Sequence, residues 1–279
     1  MSIKETCKKL GITPSKFRGQ NFLIDKNIIN KLILAAQLQA NDLVLEIGPG
    51  LGILTEQLLT TVKQVVAIEI DRKLVAFLQE KFASAIKSQK LILIESDILK
   101  ANLPALGFSD FNFKLVANLP YSLTSKIFRL FLEVGPRPLS MVVMIQKEVA
   151  QRLIAQPREM NLLSLSAQLY SYPQRLFEVK ASSFWPIPEV DSAVVQLNLK
   201  TNINPQDYKL LFRLARIGFA AKRKQLSNNL AGGLRINKTI IKEIITNSGW
   251  EENIRAQNLS VDDWIALTKS IQTLLKPKN

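Results

Sequence analysis

The sequence predicts a doubly wound, Rossmann-like α/β domain with a mostly parallel seven-stranded sheet, followed by a small all-helical domain. Short apolar runs alternate with helical segments through residue 154, as in repeated strand–helix–strand units. Two further strands, near 175–180 and 192–199, are joined by a link too short for a helical crossover, so we expect them to pair antiparallel. Only helical patterns remain beyond residue 202. The predicted domains are therefore 1–201 and 202–279.

Composition narrows the classes of function. The 279 residues include one cysteine and no histidine, so we expect neither an internal disulfide nor a metal site. The formal net charge of +14 indicates a polyanionic partner, and nucleic acid fits better than a membrane because no segment combines a basic with a strongly apolar face. No apolar run could span a bilayer, and the N-terminus lacks the apolar core of a signal peptide. We expect a soluble, cytoplasmic protein.

The elements of the predicted sheet domain follow in order. Asp25 can cap a helix that runs to about residue 37. Further strands are predicted near 43–47, 65–70, 91–94, 114–117 and 141–145, with helices near 52–61, after Asp71, and near 123–133, 146–154 and 161–171. Four successive strands end in the polar residues Gly48, Glu69, Asp97 and Asn118. Parallel strands bring such ends to one rim, which is where ligands bind in these sheets.

A glycine-rich turn, Glu46-x-Gly48-x-Gly50-x-Gly52, follows the strand at 43–47. Residues without a Cβ let a ligand approach the backbone closely. The spacing matches neither the dinucleotide fingerprint, which would need glycine at Ile53, nor the phosphate-binding loop, which would need a lysine. Glu46 places a negative charge beside the ligand. S-adenosylmethionine, a nucleoside that carries a sulfonium, fits both features; a tight turn with no ligand is the alternative.

Two carboxylates of the rim have predicted roles in holding such a cofactor. Glu69 can accept hydrogen bonds from both hydroxyls of a ribose. Its alternative role, an acid that favours a helix N-terminus, is already filled by Asp71. Asp97 can accept a hydrogen bond from the adenine amino group of the cofactor, although a cap for the turn at Ile98 explains it nearly as well.

The tetrapeptide Asn118-Leu119-Pro120-Tyr121 carries the predicted chemistry. The exocyclic amine of a nucleobase is a poor nucleophile, because its lone pair is delocalised into the ring. The side-chain oxygen of Asn118 and the carbonyl of Leu119 can each accept one amine hydrogen. Pro120 fixes the backbone, and Tyr121 can stack on the base. This arrangement would aim the nitrogen at the sulfonium methyl; a β-turn with a half-buried tyrosine is the alternative.

The chain resembles the ribosomal RNA adenine N6,N6-dimethyltransferases of the small-subunit type over almost its whole length. The resemblance is carried by the glycine motif, the tetrapeptide and four further segments: 19–23, 146–152, Phe184-x-Pro186-x-Pro188-x-Val190-Asp191-Ser192, and 219–229. It implies that the cofactor S-adenosylmethionine is bound by Asn21, Leu23, Gly48, Glu69, Asp97 and Asn118. It also implies that Phe184 clamps a flipped adenine opposite Tyr121.

The resemblance implies dimethylation of two adjacent adenosines near the 3′ end of 16S rRNA, within an immature 30S particle. Lys16, Arg18, Lys222, Arg223 and Lys224 are predicted to bind rRNA phosphates, the alternative being a solvated basic helix face. We expect a monomer. The chain departs from the family pattern at residues 160–163, Ser227 and Gln257, away from the cofactor rim.

Two other functions remain open at this point. One is that of the related enzymes that methylate a large-subunit rRNA adenine, and the region 223–226 argues against it. The other is a non-catalytic RNA-binding assembly factor that has kept the fold. The intact Glu69, Asp97 and Asn118 argue against that second alternative.

Overall fold

The computed structural model describes residues 3–9, 11 and 21–275. The chain divides into two compact units. The first runs to Gln151 and resumes over Ser171–Thr201, and it contains the sheet. The second comprises Arg152–Tyr170 together with the chain from Asn202 onward, and it is helical.

The described residues form nine strands: β1 (Phe22–Leu23), β2 (Leu43–Ile47), β3 (Gln64–Glu69), β4 (Leu91–Glu95), β5 (Lys114–Asn118), β6 (Ser140–Gln146), β7 (Ser171–Val179), β8 (Phe184–Trp185) and β9 (Ser192–Leu199). Seven of them form one sheet in the order β4-β3-β2-β5-β6-β9-β7. The first five are parallel, and β9 pairs antiparallel with both β6 and β7. The predicted sheet is confirmed.

The strand order reverses between β2 and β5. From β2 the chain winds outward through β3 to β4, and it then returns to place β5 on the other side of β2. The carboxyl ends of β2 and β5 therefore diverge into different connections, which leaves a crevice between them. Both strands are almost fully buried, since Val44, Leu45 and Leu115 each have 0% of their surface exposed.

Helices cover the sheet in the first unit. They are α1 (Ile3–Lys9), α2 (Lys26–Ala35), α3 (Ile53–Thr61), α4 (Arg72–Lys81), α5 (Ala83–Lys87), α6 (Thr124–Arg129), whose end continues as a π-helical turn over Leu130–Val134, and α7 (Lys147–Leu153). Asp25 caps α2 and Asp71 caps α4 through their side-chain oxygens, as the sequence predicts. These caps fix where both helices begin, beside the rim of the sheet.

The helical unit contains α8 (Leu162–Tyr170), α9 (Lys209–Gly218), α10 (Leu226–Leu234), α11 (Lys238–Asn247) and α12 (Val261–Leu275). A capping box begins α12, because the Asp263 carboxylate accepts from the backbone N–H of Ser260 at 2.9 Å. Trp264 is fully buried in the core, whereas Trp250 is only half-buried.

The predicted boundary at 201/202 matches one of the points where the chain changes unit, but residues 152–170 group with the helical unit instead of the sheet. Two contacts explain this difference. The ring of Tyr170 stacks on that of Phe212, with 5.7 Å between centroids. The carbonyl oxygen of Gln257 accepts from the backbone N–H groups of Arg158 and Met160, at 2.8 and 3.2 Å.

Candidate functional site

A cavity opens at the rim, beside the carboxyl ends of β2, β3 and β5. Its volume is about 970 Å³, a figure that includes the open solvent at its mouth. The structure brings eight of the sequence-predicted site residues to its wall: Asn21, Leu23, Gly48, Glu69, Asn118, Leu119, Pro120 and Tyr121. The cavity therefore gathers most of the predicted cofactor and base contacts in one place.

The glycine-rich turn forms one wall of the cavity. Gly48 and Gly50 have φ of 65° and 58°, in the left-handed region that side chains with a Cβ rarely adopt. A Cβ at Gly50 would lie 3.1 Å from the ring of Phe22, whereas one at Gly48 would meet no atom closer than 3.9 Å, on Pro120. The space beside Gly48 is thus open to a ligand, and the space beside Gly50 is filled by protein.

Glu69 lies at the end of β3 with 5% of its surface exposed. Its Oε1 accepts from the backbone N–H groups of Ile70 and Asp71, at 2.9 and 3.0 Å, and its Oε2 accepts from Gly50 N–H at 3.2 Å. Burial raises the pKa of Glu69, and these backbone hydrogen bonds oppose that rise. The carboxylate is thereby held in one orientation, and a carboxylate offers about four acceptor positions, so it can still accept from a ligand hydroxyl.

Glu46 corrects a prediction made from the sequence. Only 1% of its surface is exposed, and its Oε2 accepts from the hydroxyl of Thr55 at 2.7 Å. Burial raises its pKa to about 8. The side chain is therefore mostly protonated at neutral pH, and it does not present the full negative charge that the motif indicated for a cationic ligand.

The buried carboxyl of Glu46 makes stability depend on pH. An unfolded glutamate titrates near pH 4.3, whereas the folded group titrates near 8. Between these values the unfolded chain ionises and the folded chain does not. The free energy of unfolding should therefore fall by about 1.4 kcal/mol per pH unit. We expect Glu46→Gln to remove this slope in urea unfolding measured from pH 5 to 8.

The matched control for that measurement is Glu80→Gln, which changes an exposed glutamate of α4. This variant should keep the pH dependence of the wild type. Parallel curves for the wild type and Glu46→Gln would show that Glu46 ionises normally in the folded chain.

Asn118, the last residue of β5, lines the same cavity as the glycine turn. Its side-chain Nδ2 donates to the backbone carbonyl of Asn21 at 3.3 Å. Because this bond uses the amide nitrogen, it fixes which end of the side chain is the acceptor. The Oδ1 atom can then accept a hydrogen from a ligand amine, as the sequence predicts.

The rest of the tetrapeptide is held by the neighbouring strands and the turn. The backbone N–H of Leu119 donates to Met144 O at 3.1 Å, on β6. The hydroxyl of Thr124 donates to the carbonyl of Tyr121 at 3.2 Å. Tyr121 is half-buried, so part of its ring is open to the cavity. A stacking role for this ring remains a prediction that the geometry supports.

Two predicted site residues do not line the cavity. Asp97 is half-exposed beyond the end of β4, and its Oδ1 accepts from the backbone N–H of Leu99 at 3.0 Å, which is the turn-capping alternative. Phe184 has 1% of its surface exposed, because it pairs with Leu23 in the β1–β8 ladder and packs into the core. Their roles with the cofactor and the adenine remain predictions, and the clamp by Phe184 requires its side chain to leave the core.

The cavity also has apolar walls that the sequence did not single out. Phe22 and Ile70 both line it, and 55% of the surface of Ile70 is exposed. An apolar side chain left in the open directly after a strand-end carboxylate suits the flat face of an adenine ring. That adjacency in the sequence could have identified Ile70.

Three of the predicted RNA-binding residues are described by the structure, and they do not line this cavity. Lys222, Arg223 and Lys224 are exposed on the turn between α9 and α10, not on a helix face. The side chain of Asn229 holds this turn, since its Nδ2 donates to Gly218 O at 2.6 Å and to Ala221 O at 3.2 Å. Lys16 and Arg18 lie outside the described residues.

The described residues contain neither a metal-binding cluster nor a membrane-spanning helix. Across residues 3–9, 11 and 21–275, no group of His, Cys, Asp or Glu side chains could hold a metal ion. In the same ranges no helix has the length and hydropathy needed to cross a membrane.

The comparisons with solved structures agree with the observed architecture. A crystal structure of a dimethyladenosine transferase from Plasmodium falciparum superimposes with a TM-score of 0.74 and 25% identity, over 90% of this chain and 98% of that one. The 23S rRNA methyltransferase ErmE superimposes with a TM-score of 0.69 and 23% identity, over 90% of this chain and all of that one. The second likeness shows the fold alone.

The sequence comparisons are more specific. The ribosomal RNA small subunit methyltransferase A of Dehalococcoides mccartyi is 42% identical over 94% of this chain and 89% of its own length. The protein of the same name from Desulfitobacterium hafniense is 38% identical over 94% of both chains. The model of the ribosomal RNA adenine dimethylase family matches residues 13–273. This chain therefore belongs to the ribosomal RNA adenine dimethylase family, as its motifs predict.

Proposed function

We propose that this enzyme uses S-adenosylmethionine to place two methyl groups on N6 of each of two adjacent adenosines near the 3′ end of 16S rRNA. It acts in the cytoplasm on an immature 30S particle, and it acts as a monomer. Membership of the family and the likeness to the small subunit methyltransferases of two bacteria support this function. The main observation in favour of this function is that Gly48, Glu69, Asn118 and Tyr121 line one and the same cavity.

The residues of the cavity fit the cofactor. Glu69 is oriented by three backbone N–H groups, so it can accept from the ribose hydroxyls. The open space beside Gly48 would accommodate the methionine part, and Ile70 would pack against the adenine ring. When bound, S-adenosylmethionine supplies an electrophilic methyl group on its sulfonium. Asp97 stays the proposed partner of the cofactor's adenine amino group.

The tetrapeptide acts on the other substrate. Asn118 Oδ1 and the carbonyl of Leu119 each accept one hydrogen of the adenine N6 amine, which turns the nitrogen lone pair toward the cofactor side of the cavity. Tyr121 stacks on the extruded base. Positioning therefore supplies most of the rate, and the proton left on N6 passes to water. No residue of the cavity is needed as a strong base.

The basic turn of the helical unit is the proposed rRNA contact. Lys222, Arg223 and Lys224 are exposed, and none of them is ion-paired with an acid in the part of the chain that the structure describes. Each can therefore replace a counterion on an RNA phosphate. Lys16 and Arg18 are proposed to do the same.

Lys224→Ala should weaken binding to small-subunit rRNA and lower the slope of log K against log salt by about one unit. Filter binding at four salt concentrations measures both quantities. The matched control is Lys242→Ala. Lys242 forms an ion pair with Glu252, and this acid offsets the charge that would otherwise attract a phosphate. An unchanged slope in Lys224→Ala would remove this residue from the RNA contact.

Labelled S-adenosylmethionine tests the function directly. Incubated with the enzyme and immature small subunits, it should label adjacent adenosines of 16S rRNA as dimethyladenosine. Label on large-subunit rRNA would instead indicate the macrolide-resistance type of activity. No label on either RNA would indicate a non-catalytic assembly factor. Light scattering of the purified chain measures its molar mass and so tests whether it is a monomer.

A further inference from the structure

Two hydroxyl groups meet at the edge of the cavity. The Oη atom of Tyr121 and the Oγ atom of Ser192 lie 2.7 Å apart and share a hydrogen bond. Ser192 has 0% of its surface exposed, and the next three residues of β9, Ala193, Val194 and Val195, are apolar and buried. A buried hydroxyl needs a partner, and Tyr121 supplies it.

The sheet fixes the position of Ser192. It is the first residue of β9, and it pairs with Gln146 of β6 on one side and with Val179 of β7 on the other. The carbonyl of the preceding residue, Asp191, accepts from the backbone N–H of Lys147 at 3.0 Å. Ser192 is therefore held by a paired strand on each side, so its hydroxyl has a fixed position.

The ring of Tyr121 is held by fewer contacts than its backbone. Its backbone is held, since Pro120 precedes it and the hydroxyl of Thr124 donates to its carbonyl. Among residues 3–9, 11 and 21–275, however, its ring pairs with no other aromatic ring. The bond to Ser192 is thus what ties down the far end of the side chain.

We propose that Ser192 is a positioning residue, which holds the ring of Tyr121 at the angle needed to stack on the target adenine. This inference rests on the proposed function. A base stacked on a tethered ring keeps its amine in register with Asn118, whereas a ring free at its far end lets the base tilt. Small misplacements of a reacting atom are costly to the rate.

Ser192→Ala removes the anchor, and Tyr121→Phe removes the same bond from its other end. Each variant should lower kcat for methylation of the small-subunit particle on the order of tenfold. The KM for the particle and the Kd for S-adenosylmethionine should stay unchanged. The double variant should be no slower than either single one, because all three lack one and the same hydrogen bond.

Ser140→Ala is the matched control, since Ser140 is a buried serine at the opposite end of β6. It should leave kcat unchanged. Thermal unfolding of every variant verifies that the fold persists. Wild-type kcat in Ser192→Ala, or effects of the two single changes that multiply in the double variant, would overturn the positioning role while leaving the proposed function intact. A wild-type enzyme that methylates no small-subunit rRNA would overturn both.

Discussion

Asn118→Ala should lower the rate of methyl transfer on the order of 10²–10³-fold, with the fold intact. Asn118 Oδ1 is the proposed acceptor for the adenine amine, and the bond from its Nδ2 to Asn21 O restrains the side-chain amide. Alanine removes both the acceptor and its restraint. The base would then be held in no single orientation, and its amine nitrogen would seldom face the methyl group. Single-turnover transfer of labelled methyl groups to small-subunit particles measures this effect.

Asn41→Ala is a suitable control for that experiment. Asn41 is exposed and precedes β2, at the end of the strand opposite the cavity. This variant should transfer methyl groups at the wild-type rate. If Asn118→Ala also kept the wild-type rate, the amine would be oriented by other groups, and the proposed role of Asn118 would be lost.

Glu69→Ala should weaken the binding of S-adenosylmethionine by about 100-fold, as measured by calorimetry. Each hydrogen bond to a charged group contributes about 1.5–3 kcal/mol, and the carboxylate is the proposed acceptor for the ribose hydroxyls. Alanine also leaves the N–H groups of Gly50, Ile70 and Asp71 without their acceptor. Part of the loss would therefore come from a loosened glycine turn.

Glu69→Gln keeps part of the support of the glycine turn. Its amide oxygen can still accept from the N–H groups of Ile70 and Asp71, but the amide nitrogen in place of Oε2 cannot accept from Gly50, and the charge is lost. An affinity about tenfold weaker than the wild type is expected. Glu95→Gln is the control, because Glu95 lies beside Glu69 in the register of β3 and β4 but does not line the cavity. Wild-type affinity in both Glu69 variants would exclude this residue from the cofactor site.

The sheet and its rim could be predicted because both leave local traces in the sequence. Strands buried on both faces are continuous apolar runs, and the parallel arrangement brings their polar ends together. Three residues of the site stand at the end of such a run or directly after it, and this position identifies them: Gly48, Glu69 and Asn118. The structure places all three on one cavity.

Elements that form through contacts between distant segments could not be predicted, because such contacts leave no local pattern in the sequence. The two residues of β1 pair with the two of β8, which lie far along the chain, and neither segment has a periodic pattern. That ladder is what buries Phe184, whose motif indicated a role at the surface of the site. The assignment of residues 152–170 to the helical unit likewise depends on contacts such as that of Tyr170 with Phe212.

The ionisation of Glu46 could not be predicted either. The sequence shows the acid but not its environment, and the burial that raises its pKa to about 8 comes from the helix and strands packed around it. The placement of Lys222 and its two basic neighbours on a turn could not be predicted from the sequence for the same reason, since it depends on contacts with other segments. It depends on Asn229, which closes that turn through hydrogen bonds from its side chain.

A crystal structure with S-adenosylmethionine bound tests most directly whether donor and acceptor meet in this cavity. The ribose should lie on the carboxylate of Glu69, with the methionine part beside Gly48 and the methyl group pointing toward Asn118 Oδ1. Density for the cofactor at any other part of the chain, or a methyl group directed away from Asn118, would contradict the mechanism proposed for this enzyme.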